Sequence, residues 1–366
     1  MTETLTRVNR VGQASGLASP WALPLRDSWG RTARDLRLSV TDRCDLRCSY
    51  CLPREGVKWV SRQELLDSSE ILRLAGIAIH RLGITQVRLT GGEPLLRPDL
   101  LEIAAGITHT FAAAGRDPQV ALTTNARSLA PLAPALRAAG VRRINISLDT
   151  LNPARFAEIT GRDELASALE GIDAALSAGF QPMKMNTVML DQVSLREAPD
   201  LLRFCLERGI EWRAIEYMPF GPHTVRVGSA EQLDFSKLRP ALEREFRLSP
   251  VRENIDIHAP ATRFQVFDLA GTKRLGTMGL ISSVSTPFCA NCNRTRLSPT
   301  GLVRPCLFSN LSCDLGAMLR RGASDDELAQ AWAAVTWEKP SGHGLGQQDF
   351  QSPTIPMAQI GGKDAG

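Results

Sequence analysis

From residue 36 to residue 217 the sequence alternates between two rhythms, and this alternation restricts the fold more than any other feature. Short runs suited to β-strands lie at 36–40 (LRLSV), 86–90 (QVRLT), 119–123 (QVALT), 143–148 (RINISL), 182–189 (PMKMNTVM) and 211–217 (EWRAIEY). Segments with helical spacing of apolar residues lie between them, near 62–82, 98–114, 128–139, 164–178 and 195–208. Strands joined through helices become parallel neighbours in one sheet. Six such units fall two short of a closed eight-stranded barrel, so an α/β fold of the open, partial (β/α)6 barrel type is expected, with a doubly wound sheet as the alternative. The rhythm fails after about residue 250, where a β-rich stretch (264–284), more cysteines and a last helix near 324–335 follow. The expected organisation is a weakly ordered lead-in over 1–33, a partial-barrel core over 34–250 and a smaller α+β region over 251–366 packed on it.

The strands carry a second signal. Side chains alternate between the two faces of a strand. Leu36, Leu38 and Val40 oppose Arg37 and Ser39; Val87 and Leu89 oppose Arg88 and Thr90; Ile144, Ile146 and Leu148 oppose Asn145 and Ser147. Met183 and Met185 oppose Lys184 and Asn186, and Arg213 stands between Trp212 and Ala214. A parallel strand covered on both sides is apolar on both faces. One polar face on five strands predicts a cavity lined with Arg, Lys, Asn, Ser and Thr.

Three cysteines, Cys44, Cys48 and Cys51, follow the first strand as C-x3-C-x2-C, and no other Cys or His lies within 25 residues of them. Structural zinc takes four protein ligands in a closed tetrahedron. Iron–sulfur clusters are held by cysteine thiolates, and a four-iron cluster on three cysteines keeps one iron open for another ligand. The compartment suits this chemistry. No run of about 18 apolar residues exists to span a membrane, the first 30 residues lack the apolar stretch of a signal peptide, and a cytoplasmic chain rarely uses cysteines for disulfides. The motif, with Tyr50 before its third cysteine, resembles the signature of radical S-adenosylmethionine (SAM) enzymes, and LTGGEPLLR (89–97) resembles their glycine-rich strand end. Gly91 and Gly92 there allow close backbone approach at the C-terminal end of a strand.

A second triplet, Cys289, Cys292 and Cys306, is spaced C-x2-C-x13-C, and on spacing alone Cys313 can close it as a zinc site. Cys205, alone in a helical pattern, reads as a small buried hydrophobe. CNRTRL (292–297), together with DLRLSVTDRC (35–44), RLTGGEPLLR (88–97), LTTNA (122–126), RINISLDTL (143–151) and IGG (360–362), resembles the GTP 3′,8-cyclase family of molybdenum cofactor biosynthesis from about residue 35 to 362.

That resemblance implies two [4Fe–4S] clusters, the first on Cys44, Cys48 and Cys51 and the second on Cys289, Cys292 and Cys306. It implies SAM contacts at Tyr50, Gly92, Ser147 and Met218. GTP contacts are implied at Arg37, Arg88, Thr123, Lys184, Arg213, Arg294, Thr295 and Arg296. The implied activity is that of a lyase. A 5′-deoxyadenosyl radical takes hydrogen from the ribose C3′ of GTP, and C3′ then joins guanine C8 to give 3′,8-cyclo-7,8-dihydro-GTP. An external electron donor and, downstream, cyclic pyranopterin monophosphate synthase are the implied partners, and a homodimer is one assembly open to such a chain. Two departures stand out. Gln86 occupies a position where some relatives carry lysine, and Lys363, Asp364, Ala365 and Gly366 extend the chain past Gly361 and Gly362. A peptide-modifying radical SAM enzyme and a non-enzymatic zinc- or nucleic-acid-binding protein are the competing readings. The basic cavity argues against the former. A net charge of only +4 and the absence of any nucleic-acid-binding motif argue against the latter.

Overall fold

The computed structural model describes residues 24–52, 59–218, 233–253, 256–345, 350 and 352–353. Its centre is a run of six parallel strands in sequential order: β1 (Asp35–Ser39), β2 (Gln86–Thr90), β3 (Val120–Thr124), β4 (Val141–Ser147), β5 (Lys184–Met189) and β6 (Glu211–Glu216). Helices α1 (Ser68–His80), α2 (Leu100–Ala113), α3 (Ala133–Ala138), α4 (Pro153–Thr160), α5 (Leu165–Ser177) and α6 (Gln192–Glu207) supply the crossovers. Sequential parallel order is what a partial barrel requires, whereas a doubly wound sheet reverses its order midway. The strand faces separate as the alternation predicts. Leu36, Leu38, Val87, Leu89, Ile144, Ile146, Met185, Trp212 and Ala214 are completely buried. Helix α1 meets this layer with Ile71, Leu74, Ala75 and Ala78, one stripe at helical spacing, and an Asp67–Glu70 capping box fixes its start.

Helix α4 has no counterpart among the expected segments. It is two turns long, too short to display a period, and its end groups define it. The Asn152 side chain accepts the Arg155 N–H, Pro153 opens the first turn, and Gly161 closes the helix at φ +71°.

The C-terminal part adds α7 (Leu238–Leu242), β7 (Phe246–Pro250), β8 (Thr262–Asp268), β9 (Arg274–Ile281), β10 (Arg294–Leu297), β11 (Leu302–Arg304), β12 (Cys313–Asp314), α8 (Leu315–Arg320) and α9 (Asp325–Trp337). Its strands extend both edges of the central sheet. β9 pairs parallel with β6, β10 pairs parallel with β1, and the order is β12-β11-β10-β1-β2-β3-β4-β5-β6-β9-β8-β7. A cut at residue 250 therefore does not separate two sheets, and it falls inside the antiparallel β7–β8 pair.

The lead-in also differs from expectation where it is described. Leu25 and Ala33 are buried, Leu25 N–H donates to Leu82, and Arg31 is paired with Asp27. Residues 1–23 and the Gly361–Gly362 tail with its extension lie outside the described residues.

Candidate active site

Cys44, Cys48 and Cys51 are buried in the loop after β1, at the end of the sheet where the barrel strands terminate, and none is in a disulfide. Three elements hold that loop. The first is the glycine turn after β2. Gly92 N–H donates to Thr41 O (2.8 Å) and Glu93 N–H to Arg43 O (2.7 Å). A Cβ on Gly92 would lie 2.3 Å from Arg43 O, and one on Gly91 2.6 Å from Thr41 O. These glycines are thus required by the cysteine loop itself, beyond any approach to a ligand. The second is helix α4, whose last carbonyls lack intrahelical donors. Arg47 N–H donates to Thr160 O (2.7 Å) and Ser49 N–H to Ile159 O (2.9 Å). The third is a pair of carboxylates, buried Glu93 and half-buried Asp45. Glu93 accepts the Thr124 hydroxyl (2.6 Å) and the Asn125 N–H (2.8 Å), while Asp45 accepts the Asn125 amide (2.8 Å) and the Arg127 guanidinium. Tyr50 donates to Asp149 at 2.7 Å. Burial, then Asp149 and the sulfurs of Cys48 and Cys51, raise its pKa. Gly92, Ser147 and Met218 all stand at or just past the C-terminal ends of β2, β4 and β6, on the same rim as Tyr50.

Below this rim the register places polar residues side by side. Arg296, Arg37 and Arg88 are neighbours on β10, β1 and β2, and the row continues through Ala121 to Arg143. Thr123, Asn145, Lys184 and Glu211 form a second row, and Asn186 and Arg213 are partners on β5 and β6. Arg37, Arg88, Arg143, Lys184, Arg213, Arg294 and Arg296 share this inner face with the carboxylates Asp35 and Glu211, and the register adds Arg304 opposite Arg296. Glu211 accepts Arg213 and Arg263, at 2.7 and 2.8 Å. Asp35 is ionised more readily than usual, because Arg37, Arg88 and Arg294 outweigh the cost of its burial. Lys184 is pulled down to about 7 by burial and then by Arg213. Burial, then Arg37 and Arg294, disfavour the charge on Arg296, and its Nε has no hydrogen-bond partner among the described residues. The face is built with more positive charge than the protein neutralises. Thr295 is the exception among the residues expected at this site. It lies between the two arginines on an extended strand, so its side chain takes the opposite face and accepts the Trp332 indole N–H (3.0 Å).

Cys289, Cys292 and Cys306 gather at the other end of the strands, where Cys289 and Cys292 precede β10. Burial raises the Cys289 pKa, the His343 N–H opposes this, and the nearby Cys306 and Cys292 raise it again. Burial also works against ionisation of Cys292, yet Lys339 and Arg294 bring it to about 6. Cys313 does not join them. It sits in β12 opposite Val303, and Asp314 is the charged neighbour acting on it. Cys205 is fully buried with its sulfur 3.8 Å from that of Met185, as a small hydrophobe should be. The two triplets thus cap opposite ends of one cation-lined face, separated by strands that rise about 17 Å over five residues. A cavity of about 770 Å³ opens toward the second triplet. Lys184, Glu211, Arg213, Phe288 and Asn291 line it, with residues of the loop before β8 and the start of that strand.

Among the participants that sequence reasoning missed are Arg143, Asp149 and Lys339. Arg143 belongs to the arginine row and donates to Gln86 (2.7 Å). It follows another arginine, Arg142, so alternation alone does not single it out. Asp149 and Lys339 act through contacts distant in sequence. Only the scarcity of lysine, six against 37 arginines, drew attention to residues of that type.

Comparison with known proteins adds the following. The Radical SAM superfamily model matches residues 38–205, and the Molybdenum Cofactor Synthesis C model matches residues 210–345. A GTP 3′,8-cyclase of Corynebacterium glutamicum is 44% identical over 92% of this chain and 89% of its own length. One of Mycolicibacterium smegmatis is 45% identical over 98% of both. Among solved structures, Streptococcus suis SuiB bound to S-adenosylmethionine superposes with a TM-score of 0.54 at 16% identity, over 81% of this chain and 64% of that one. anSMEcpe with bound AdoMet gives 0.54 at 14% identity over 76% and 75%. These two likenesses show the fold. No helix among the described residues is long and apolar enough to cross a membrane.

Proposed function

The chain belongs to the GTP 3′,8-cyclase family of radical SAM enzymes, and from that premise we propose that it converts GTP to 3′,8-cyclo-7,8-dihydro-GTP, the first step of molybdenum cofactor biosynthesis. The observation that carries this reading is the inner face, where a row of arginines with Lys184 outnumbers the carboxylates Asp35 and Glu211 between two cysteine triplets. A nucleoside triphosphate brings about four negative charges, and arginine forks suit phosphate oxygens.

The family implies a [4Fe–4S] cluster and SAM. Three buried cysteines on one loop, none in a disulfide and bounded by the barrel rim, fit that cluster and leave one iron open. When bound, cluster and SAM supply the hydrogen-abstracting chemistry at ribose C3′, with electrons from an external donor. The rest is the work of the chain. Tyr50, Gly92, Ser147 and Met218 hold SAM on the rim. Arg37, Arg88, Arg294 and Arg296 take the triphosphate, and Thr123, Lys184 and Arg213 close the pocket opposite. Arg296 enters with a buried Nε that has no partner among the described residues, so an arriving phosphate oxygen meets an available donor. The carboxylates restrain this face: Glu211 keeps Arg213 in place. Cys289, Cys292 and Cys306 would hold a second [4Fe–4S] cluster, which would supply a ligand position for the guanine end of the substrate. The 770 Å³ cavity beside it is of the size that receives a nucleotide-sized ligand. Soluble cytoplasmic operation and a downstream cyclic pyranopterin monophosphate synthase complete the reading.

The test is protection against thermal unfolding of the anaerobically reconstituted protein. GTP should raise the melting temperature in a dose-dependent way, and a panel of peptides should leave it unchanged. Protection by peptides and none by GTP would reject the substrate assignment.

A further inference from the structure

Lysine is rare in this chain, and one lysine is almost wholly enclosed. Lys339 is 3% exposed. Its Nζ donates to the Arg294 carbonyl (2.9 Å), the Cys292 carbonyl (3.4 Å) and the Cys292 sulfur (3.4 Å). An ammonium has three donors and no acceptor, and all three are committed to the turn that carries Cys292 into β10. A buried ammonium is costly unless it is paired and hydrogen-bonded. Here two of the partners are neutral carbonyls and the third is a cysteine sulfur, the one partner able to carry a full negative charge.

The surrounding structure fixes the lysine in that place. Helix α9 starts from a Ser324–Glu327 capping box and lies against the sheet with Trp332 fully buried, its indole on Thr295 of β10. Two residues beyond its end the chain reaches Lys339, so the helix aims the ammonium at the start of β10. The next segment stays on the same cysteines. Arg31 donates to the carbonyls of Cys289 (2.8 Å), Pro340 (2.6 Å) and Ser341 (2.8 Å), and the His343 N–H acts on the Cys289 sulfur.

We propose that Lys339 is the positioning residue of the second cysteine triplet: it orients the Cys292 sulfur and supplies the fixed positive charge that a cluster carried by three thiolates needs beside it. The proposal rests on the reading that this triplet holds an iron–sulfur cluster. Hydrogen bonds to sulfur and local charge set the reduction potential of such clusters. Removing a cation from one side favours the oxidised, less negative state, so the potential should fall.

The test uses a full-length parent in which Cys44, Cys48 and Cys51 are alanine, so that iron reports on the second triplet alone. After anaerobic reconstitution the parent should hold about four irons. At the potential where half of the parent cluster is reduced, Lys339→Met should show a reduced-to-oxidised ratio at least tenfold lower, 59 mV for a one-electron couple, or no iron at all. Lys339→Arg, which keeps the charge, should return the ratio to within about threefold of the parent. Lys339→Met placed in the chain with its first triplet intact should retain first-triplet iron, which establishes that it folds; if that iron is lost too, Lys339→Gln decides by the same ratio. A Met or Gln variant matching the parent in iron and ratio overturns the proposal, as does an Arg variant that behaves like Met, since the lysine then only fills space. A parent that takes up no iron removes the cluster reading and this proposal with it, a result distinct from the other two.

Discussion

Arg296 and Lys184 show how single side chains set the character of the inner face. Arg296 is buried beside two other arginines, and its Nε has no hydrogen-bond partner among the described residues. A charge-assisted hydrogen bond contributes about 1.5–3 kcal/mol, so Arg296→Ala should weaken GTP binding roughly ten- to a hundredfold. Guanosine, lacking phosphates, should lose little. Calorimetry giving GTP affinity within about twofold of wild type would make Arg296 a bystander. Lys184 makes a prediction about pH. Its pKa falls from 10.5 in the unfolded chain to about 7, because burial and then Arg213 disfavour its charge. Between those values the unfolded chain binds the extra proton, so this residue makes stability rise with pH from about 7 to 10.5 and contributes its full destabilisation below that window. A bound triphosphate favours the charged form, so GTP binding at pH 8 should take up a proton. Calorimetry in buffers of different ionisation enthalpy should detect that uptake in wild type and find it reduced in Lys184→Met; equal uptake in both would assign the proton elsewhere.

The sequence made the inner face legible because strand alternation is local: Arg37, Arg88, Lys184 and Arg213 announce themselves by standing between apolar neighbours. The same alternation sets the Thr295 side chain on the face opposite Arg294 and Arg296, where it meets Trp332.

At the scale of elements, two of the three supports of the first cysteine loop differ greatly in visibility. The glycine turn was readable as a motif, although its close approach is to the backbone of Thr41 and Arg43. Helix α4 was not readable at all, because two turns display no period and its role lies in two terminal carbonyls. The glycine contact is testable. Gly92→Ala places a methyl group 2.3 Å from a backbone oxygen, where no flexible side chain can yield. The loop must shift, at a cost of about 1–3 kcal/mol typical of overpacking. Iron at the first triplet should drop by more than half on anaerobic reconstitution, and SAM cleavage should drop with it. Gly91→Ala should act in the same direction. Full iron loading in Gly92→Ala would show that the loop does not depend on that close approach.

For the whole molecule, the twelve-stranded order explains how one chain can place two cysteine triplets at opposite ends of one sheet face. Strand β10 returns from the C-terminal part to lie parallel to β1, which brings Cys292 to the start of the same strand pair whose far end leads to Cys44. The loss of helical rhythm near residue 250 was visible in the sequence. That the later strands would join both edges of the sheet was not, since edge pairing depends on registers between residues as distant as Arg37 and Arg296. Two separated triplets predict separable losses. Cys48→Ala should abolish SAM cleavage altogether. Cys306→Ala should abolish cyclisation while leaving some uncoupled 5′-deoxyadenosine, and equal loss of both activities in a folded Cys306→Ala protein that keeps first-triplet iron would contradict that division. The most direct measurement of the central claim is a single-turnover assay of the anaerobically reconstituted wild-type protein with SAM, GTP and a reductant, followed by mass spectrometry of the nucleotides. The account predicts 3′,8-cyclo-7,8-dihydro-GTP formed together with 5′-deoxyadenosine. Iron-loaded protein that cleaves SAM in the presence of GTP yet leaves the nucleotide unchanged would contradict it.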